Sequence, residues 1–343
     1  MHWTDIRELG VEGQGWRDVK APYDRLPSRA EGKVRAAVWE LSRDSAGMHV
    51  RFITDATEIH ARWAVTSSSL AMPHMAATGV SGLDLYVKTD KSRWHWLAVG
   101  KPIRQTNEVA LIHNLPPGRR EYLLYLPLYN GARFVEIGVP EGAGVGKAGP
   151  WGPGVRKPML FYGTSILHGA CASRPGMVHS AILGRRFNFP HINLGFSGNG
   201  RMEPELADLL AELDPSVYVL DCLPNMNAAE VTERVEPFVK TLRTAHPNTP
   251  IVLVEDRSYA DAFLIAGKRQ HNETNRAALK AAYDRLRKSN VKHLHYLKGA
   301  DLLGDDGEAT VDSSHPSDLG FMRQADAHAK VLGPLLKKAL NPH

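Results

Sequence analysis

Ser165 closes the stretch Met159-Leu160-Phe161-Tyr162-Gly163-Thr164-Ser165, and its hydroxyl is a candidate nucleophile. An apolar run bounded by turn residues reads as a buried strand. A serine just past such a strand stands above the sheet, among the backbone N–H groups of the following turn. Nucleophilic chemistry there needs an exposed hydroxyl, a nearby base and donors for the developing oxyanion. His315, in Asp312-Ser313-Ser314-His315-Pro316, is the candidate base, and Asp312 is placed to hold the other imidazole nitrogen and fix the tautomer. The Ser165 and Gly198 N–H groups and the Asn225 side-chain amide are the candidate oxyanion donors. Losing one such donor typically costs ~2.7–4 kcal/mol of transition-state stabilisation.

The elements that must position these groups follow from the pattern after residue 158. Strands are expected at Met159–Tyr162, His191–Leu194, Val217–Leu220, Ile251–Val254 and Lys292–Tyr296. Helices are expected near Gly176–Phe187, Glu203–Leu213, Ala228–Ala245, Asn272–Lys288 and Leu319–Leu340. Strict alternation of this kind predicts a parallel sheet covered by helices, with ligand chemistry at the carboxyl ends of the strands. Ser165, the turn Gly195-Phe196-Ser197-Gly198-Asn199-Gly200, and Asn225 after Asp221-Cys222-Leu223-Pro224 all fall at such ends. A serine at a strand-to-helix turn is also an ordinary N-cap. The other stations at matching positions favour catalysis.

These four blocks resemble the SGNH (GDSL-like) hydrolase superfamily, in the order serine, glycine, asparagine and Asp-x-x-His, over Met159 to about Leu340. The first block, Gly163-Thr164-Ser165-Ile166, departs from the family name in Thr164 and Ile166. The resemblance implies a flavodoxin-like three-layer α/β/α fold and a cofactor-free esterase. A β-rich region ahead of it resembles the two-domain carbohydrate esterases, which implies O-acetyl esters on a polysaccharide as substrate. An esterase or lipase for small acyl or lipid esters is one rival, although no long apolar loop stands near the blocks. A carbohydrate-binding protein with a dead hydrolase fold is another, but it requires a missing triad member.

From Val34 to about Val139 the chain reads as an all-β jelly-roll sandwich, with strands at Val34–Leu41, Met48–Thr54, Glu58–Val65, Leu83–Lys88, Arg93–Val99, Glu108–Ile112, Glu121–Leu126 and Ala132–Gly138. Leu83–Lys88 alternates, predicting one buried and one wet face. Trp94 and Trp96 share a strand face and are expected in the sandwich core, with a sugar-stacking platform as the alternative. Pro140–Pro158 has the glycine and proline content of a linker, so the domains are expected at 1–150 and 151–343.

His74, in Met72-Pro73-His74-Met75, and His168 are candidate substrate contacts, with a structural role as the default for His74 and a surface or capping role standing equal to site lining for His168. Arg174, Arg201 and Arg257 lie near rim loops, where solvated arginines are the default. His293 and His295 alternate on a strand without an acidic or cysteine partner, so no metal set is expected. Cys171 and Cys222 read as two buried thiols, with a bridge bracing the oxyanion loops as the alternative.

The 343-residue chain is 43% apolar and 23% charged, ordinary for a soluble globular protein of two domains. The net charge of +5 comes without a basic run interleaved with aromatics, so no nucleic-acid partner is expected. No run approaches the ~18–20 apolar residues of a membrane span. The N-terminus shows no apolar leader segment. A soluble protein is expected, periplasmic or secreted if a leader has been removed and otherwise cytoplasmic. Composition says nothing about oligomeric state.

Overall fold

The computed structural model describes residues 1–89, 93–155 and 157–340. Among the described residues the first half supplies ten strands: β1 (His2–Asp5), β2 (Val11–Glu12), β3 (His49–Thr54), β4 (Ile59–Val65), β5 (Leu83–Lys88), β6 (Trp94–Gly100), β7 (Thr106–Ile112), β8 (Arg120–Tyr125), β9 (Ala132–Val139) and β10 (Val145–Lys147). One antiparallel sheet has the order β1-β9-β4-β7, and the other β10-β3-β8-β5-β6 with β2 beside β3. Ala61, Trp63, Val135 and Ile137 of the first sheet share a buried cluster with Phe52, Leu83, Leu85 and Leu124 of the second. The two sheets therefore face one another across a single apolar layer.

The second half builds a five-stranded parallel sheet from β11 (Met159–Gly163), β12 (His191–Gly195), β13 (Val217–Asp221), β14 (Ile251–Val254) and β15 (Leu294–Leu297), in the order β12-β11-β13-β14-β15. Side chains alternate across it. Leu160 and Tyr162 pack with the helices Pro204–Ala211, Ala228–Ala245 and Ala266–Lys288. Met159 and Phe161 pack with His179–Phe187 and Asp318–Leu340. This is the expected three-layer α/β/α arrangement. β11 connects onward to β12 on one side and its neighbour β13 to β14 on the other, so the connections diverge from adjacent carboxyl ends and open a crevice there. Ser165 sits at that end.

Four expectations for the first half need correction. The segment expected as a strand at Val34–Leu41 is the helix Ala36–Ser42. Its Val34, Val38 and Trp39, together with Trp16, Leu26 and Ala30, are buried against Leu194, Leu206 and Leu210 of the parallel-sheet half. The apolar positions thus follow a helical face rather than strand alternation. A cut at residue 150 would leave these six side chains in the core of the other half.

Leu83–Lys88 has no wet face over its first four residues. Asp84 and Tyr86 point away from the sandwich core yet are buried, because Arg174 and the Gly176 N–H bond Asp84 from the other half. Trp94 and Trp96 also lie on this outer side and outside the sandwich core. Trp96 is 50% exposed, with its indole N–H 3.0 Å from Asp84. The inner positions of that sheet are taken by Leu83, Leu85 and Ala98.

The glycine-rich stretch is more than a linker: β10 pairs with β3, and Trp151 is buried with the Arg51 guanidinium 4.2 Å above its ring. Among the described residues no helix is long and apolar enough to cross a membrane.

Candidate active site

Gly163 ends β11 and Thr164 caps the short helix Ser165–His168, its hydroxyl accepting from the Ile166 N–H at 3.3 Å. The threonine thus performs the capping that an aspartate would otherwise supply. Ser165 follows at the first helical position, where a backbone N–H has no intrahelical partner. Its Oγ lies 2.9 Å from His315 Nε2, and His315 Nδ1 lies 2.7 Å from Asp312 Oδ2. A carboxylate can only accept, so Nδ1 carries the proton and Nε2 presents a lone pair to the serine hydroxyl.

Asp312 also accepts from the backbone N–H groups of His315 at 2.7 Å and Ser314 at 3.1 Å. Burial works to raise its pKa, but the hydrogen bonds from His315 and Ser314 and the His315 charge outweigh it and hold the carboxyl below its ordinary value.

The loop carrying Asp312 and His315 is fastened from the segment after β14. Ser313 has φ 76°, a left-handed conformation that a serine rarely adopts without support. That support comes from the Ala260 N–H, which donates to Ser313 O at 2.9 Å, and from Asp261, which accepts from the Ser313 hydroxyl. Lys268 pairs with Asp261 at 2.5 Å and reaches Ser313 Oγ at 3.2 Å. Neither Asp261 nor Lys268 carries a local sequence signal for this work. Between them, Phe263 and Leu264 are 76% and 73% exposed, an apolar tip on a loop bonded to the His315 loop. This tip was not expected from the sequence, where no long apolar loop stands near the blocks.

Gly198 and Asn225 come to the same strand-end rim. Gly198 has φ 69° in an exposed turn. Gly200 must be glycine because a Cβ there would stand 2.1 Å from Gly163 O, so the turn lies directly against the end of β11. The Gly200 N–H donates to Asn225 Oδ1 at 3.2 Å, which fixes the amide orientation and leaves Nδ2 as the free donor.

Two arginines from the first half secure this turn. Arg25, fully buried, donates to Gly195 O at 2.7 Å and to Asn193 O, Leu41 O and Asp44 O. Burial pushes its pKa down to about 10 despite Asp44 nearby. Arg35 bonds Asn199 Oδ1 at 2.6 Å and Glu203 at 2.7 Å. A buried arginine among carbonyls has no signature in sequence, since the carbonyls it satisfies lie up to 170 residues away.

The two histidines expected near substrate diverge. His74 sits at the tip of a tight Met72–Met75 turn, exposed, with its ring centroid 5.9 Å from that of His315. His168 is instead fully buried. It lies 2.7 Å from Leu128 O and stacks on Tyr129 at 4.0 Å, so it joins the two halves and faces no substrate. Tyr129 in turn donates to Ser165 O at 3.2 Å.

Of the rim arginines, Arg174 bonds Asp84 and Tyr86, and Arg257 is buried in a two-pronged pair with Asp221. Arg201 alone stays at the rim, its Nε 3.2 Å from Gly198 O. Cys171 and Cys222 are both free thiols, which removes the bridge; Cys222 Sγ points to Tyr162 O at 3.7 Å. A cavity of about 500 Å³ behind the loop, lined by Tyr259, Phe263, Arg269, Arg276 and Thr310, includes none of Ser165, Asp312 and His315.

Comparison with known proteins gives the family and the fold. Residues 156–333 match the GDSL-like Lipase/Acylhydrolase family and residues 1–145 match the N-terminus of SGNH-hydrolase-type esterases. A crystal structure from Bacteroides ovatus ATCC 8483, described as a GDSL-like lipase, is 36% identical, with 98% of each chain covered and a TM-score of 0.92. A salicylyl-acyltransferase from a tetracycline biosynthetic pathway shares the fold at 20% identity, with 99% of each chain covered and a TM-score of 0.76. A family two carbohydrate esterase from Clostridium thermocellum, in complex with cellohexaose, shares it at 14% identity, covering 86% of this chain and 96% of its own, with a TM-score of 0.60. No curated protein matches the chain.

Proposed function

Because the chain belongs to the GDSL-like lipase/acylhydrolase family of SGNH hydrolases, we propose that it is a serine esterase that removes O-acetyl groups from a carbohydrate. The observation that carries this reading is the continuous hydrogen-bonded chain Ser165–His315–Asp312 at the carboxyl end of β11.

In this mechanism Ser165 Oγ attacks the ester carbonyl while His315 Nε2 takes the hydroxyl proton. Asp312 holds the imidazole and stabilises its charged form. The oxyanion is met by the Ser165 and Gly198 N–H groups and Asn225 Nδ2. Collapse of the intermediate expels the alcohol, which leaves with the proton from His315. Water, activated by the same imidazole, then hydrolyses the acyl-serine. No step requires a cofactor. Support for a sugar alcohol comes from the carbohydrate esterase that shares the fold.

A second reading, an ester with a longer or aromatic acyl group, is favoured by one observation. Phe263 and Leu264 are exposed on the loop fastened to the His315 loop, where they could cover an apolar acyl chain. The two readings separate on a panel of chromogenic esters, from acetate to octanoate and benzoate, alongside acetylated xylan. Acetate preference with release of acetic acid from the polysaccharide supports the first. Preference for long or aromatic acyl groups that disappears in Phe263→Ser supports the second. Full activity in Ser165→Ala would sink both.

A further inference from the structure

Among the described residues, three groups of histidine, cysteine and carboxylate side chains bring one donor atom each to within 4.8 Å of the others. In the buried group His179–Asp221–His328, the carboxylate is already taken by Arg257, whose charge opposes a cation. The group Glu58–His60–His113 has a carboxylate already bonded to His113 at 2.7 Å and lies on the sandwich surface. The third group, His74–Cys171–His315, is different in kind, because it includes the imidazole that faces Ser165.

Its donors come from three separate loops. His74 is presented by the Met72–Met75 turn, closed by reciprocal backbone bonds of 3.0 and 3.1 Å. Cys171 follows the nucleophile helix and is held at φ 70°, a conformation uncommon for a residue with a side chain. Its neighbours fix it there: the Ala170 N–H donates to Ser165 O at 2.9 Å and the Ala172 N–H to Gly169 O at 3.0 Å. His315 completes the set.

One thiolate and two imidazoles form a donor set that suits zinc and other borderline-soft divalent ions, not magnesium or calcium. With Zn–S near 2.3 Å and Zn–N near 2.0–2.1 Å, tetrahedral geometry asks for donors roughly 3.3–3.6 Å apart. The donors lie within 4.8 Å of one another, so side-chain rotations of about 1 Å bring them to the spacing a metal requires, and His74 is exposed at its turn. The fourth position would be left to water.

We propose that a zinc-class divalent cation binds His74, Cys171 and His315 and reversibly switches the hydrolase off. The Cys171 thiol gives up its proton to solvent as the metal–sulfur bond forms, and both histidines bind as neutral ligands. Either nitrogen of His315 serves for inhibition. Nε2 is the atom that would take the Ser165 proton, and drawing Nδ1 away from Asp312 releases the ring from its orientation. The inhibition, though not the binding, rests on reading His315 as the base for Ser165.

The test therefore separates the two. Zn²⁺ is first titrated calorimetrically into Ser165→Ala, in buffers of different ionisation enthalpy. One ion per chain with one proton released is expected, and Cys171→Ser or His74→Ala in that background should bind at least tenfold more weakly. The two variants lie on different loops, and melting curves establish that each is folded. Zn²⁺ is then added to the parent enzyme during ester hydrolysis. Inhibition reversed by EDTA and absent with Mg²⁺ is expected, with the ratio of activity with and without Zn²⁺ returning towards one in each ligand variant.

Absence of saturable one-to-one binding, or equal binding by the ligand variants, overturns the proposal. So does hydrolysis that Zn²⁺ leaves unchanged. Stoichiometric binding in a protein that cleaves no ester would instead refute the esterase reading and leave the metal site standing.

Discussion

Two of the histidine–aspartate groups in the parallel-sheet half are built from the same residue types and put to opposite uses. In one, His315 and Asp312 are 25% and 40% exposed, 2.7 Å apart, with the free imidazole nitrogen facing a serine hydroxyl. In the other, His179, Asp221 and His328 are sealed under the same strand ends. There both oxygens of Asp221 are taken by Arg257, and neither His179 nitrogen has a partner. Burial drives the His328 pKa to about 4 and that of His179 well below its ordinary value, so both stay neutral. The difference lies in solvent access and in which partner the carboxylate has been given. An open pair can move a proton; a sealed one can only pack.

That contrast can be broken most severely at His315. His315→Ala should cut esterase turnover by on the order of 10⁴–10⁶-fold while leaving the melting temperature nearly unchanged. A loss below tenfold would remove His315 from the chemistry. Arg257→Met should show the opposite profile. It strands the Asp221 carboxylate in the core and should lower unfolding free energy by about 3–5 kcal/mol in a urea melt. Adding Asp221→Leu should restore most of that stability, and if it does not, the buried charge is not the cause.

Acid sharpens the comparison further. The unfolded chain binds protons on these histidines near pH 6.5, whereas folded His328 does so only near 4, and burial holds His179 and His191 well below their ordinary value. Between those values the unfolded state holds more protons, so stability is full above about pH 6.5 and falls as pH drops through 6.5 towards 4. Urea midpoints that stay level from pH 7 to 4.5 would contradict this. Asp312, held below its ordinary pKa, remains ionised across that window. The smallest effect is expected at Asp261→Asn, which loosens Ser313 and hence His315. A fall of about tenfold in kcat with KM little changed would fit a misplaced base, and an unchanged kcat would show that the loop holds itself.

Legibility in the sequence divides along similar lines. The helix Ala228–Ala245 and the strand Ile251–Val254 coincide with their expected spans, because each buries a single face and its period is set by that face. The helix expected at Asn272–Lys288 begins earlier, at Ala266, since its first turns are too polar to show a periodic face. In the first half Val34–Leu41 misleads because its burial partner belongs to the other half. Trp94 and Trp96 mislead because alternation shows only that they share a face, and which face meets the core is set by how the strand pairs with β5. His168 fails as a substrate contact for the same reason: proximity to Ser165 in the chain carries no information about the side of the helix that Tyr129 covers.

The order of serine, glycine, asparagine and Asp-x-x-His, and the strand–helix alternation that sets them on one rim, were determined by local sequence alone. Each depends on short-range turn chemistry and on which face an element buries. What only the tertiary structure decided is how that rim is held and walled. Arg25 and Arg35 reach from the first half to the Gly195–Gly200 turn, Asp261 steadies Ser313, and His74 and Cys171 gather beside His315. These contacts join residues distant in the chain, and a buried charge or a shared donor cluster is specified by what surrounds it after folding.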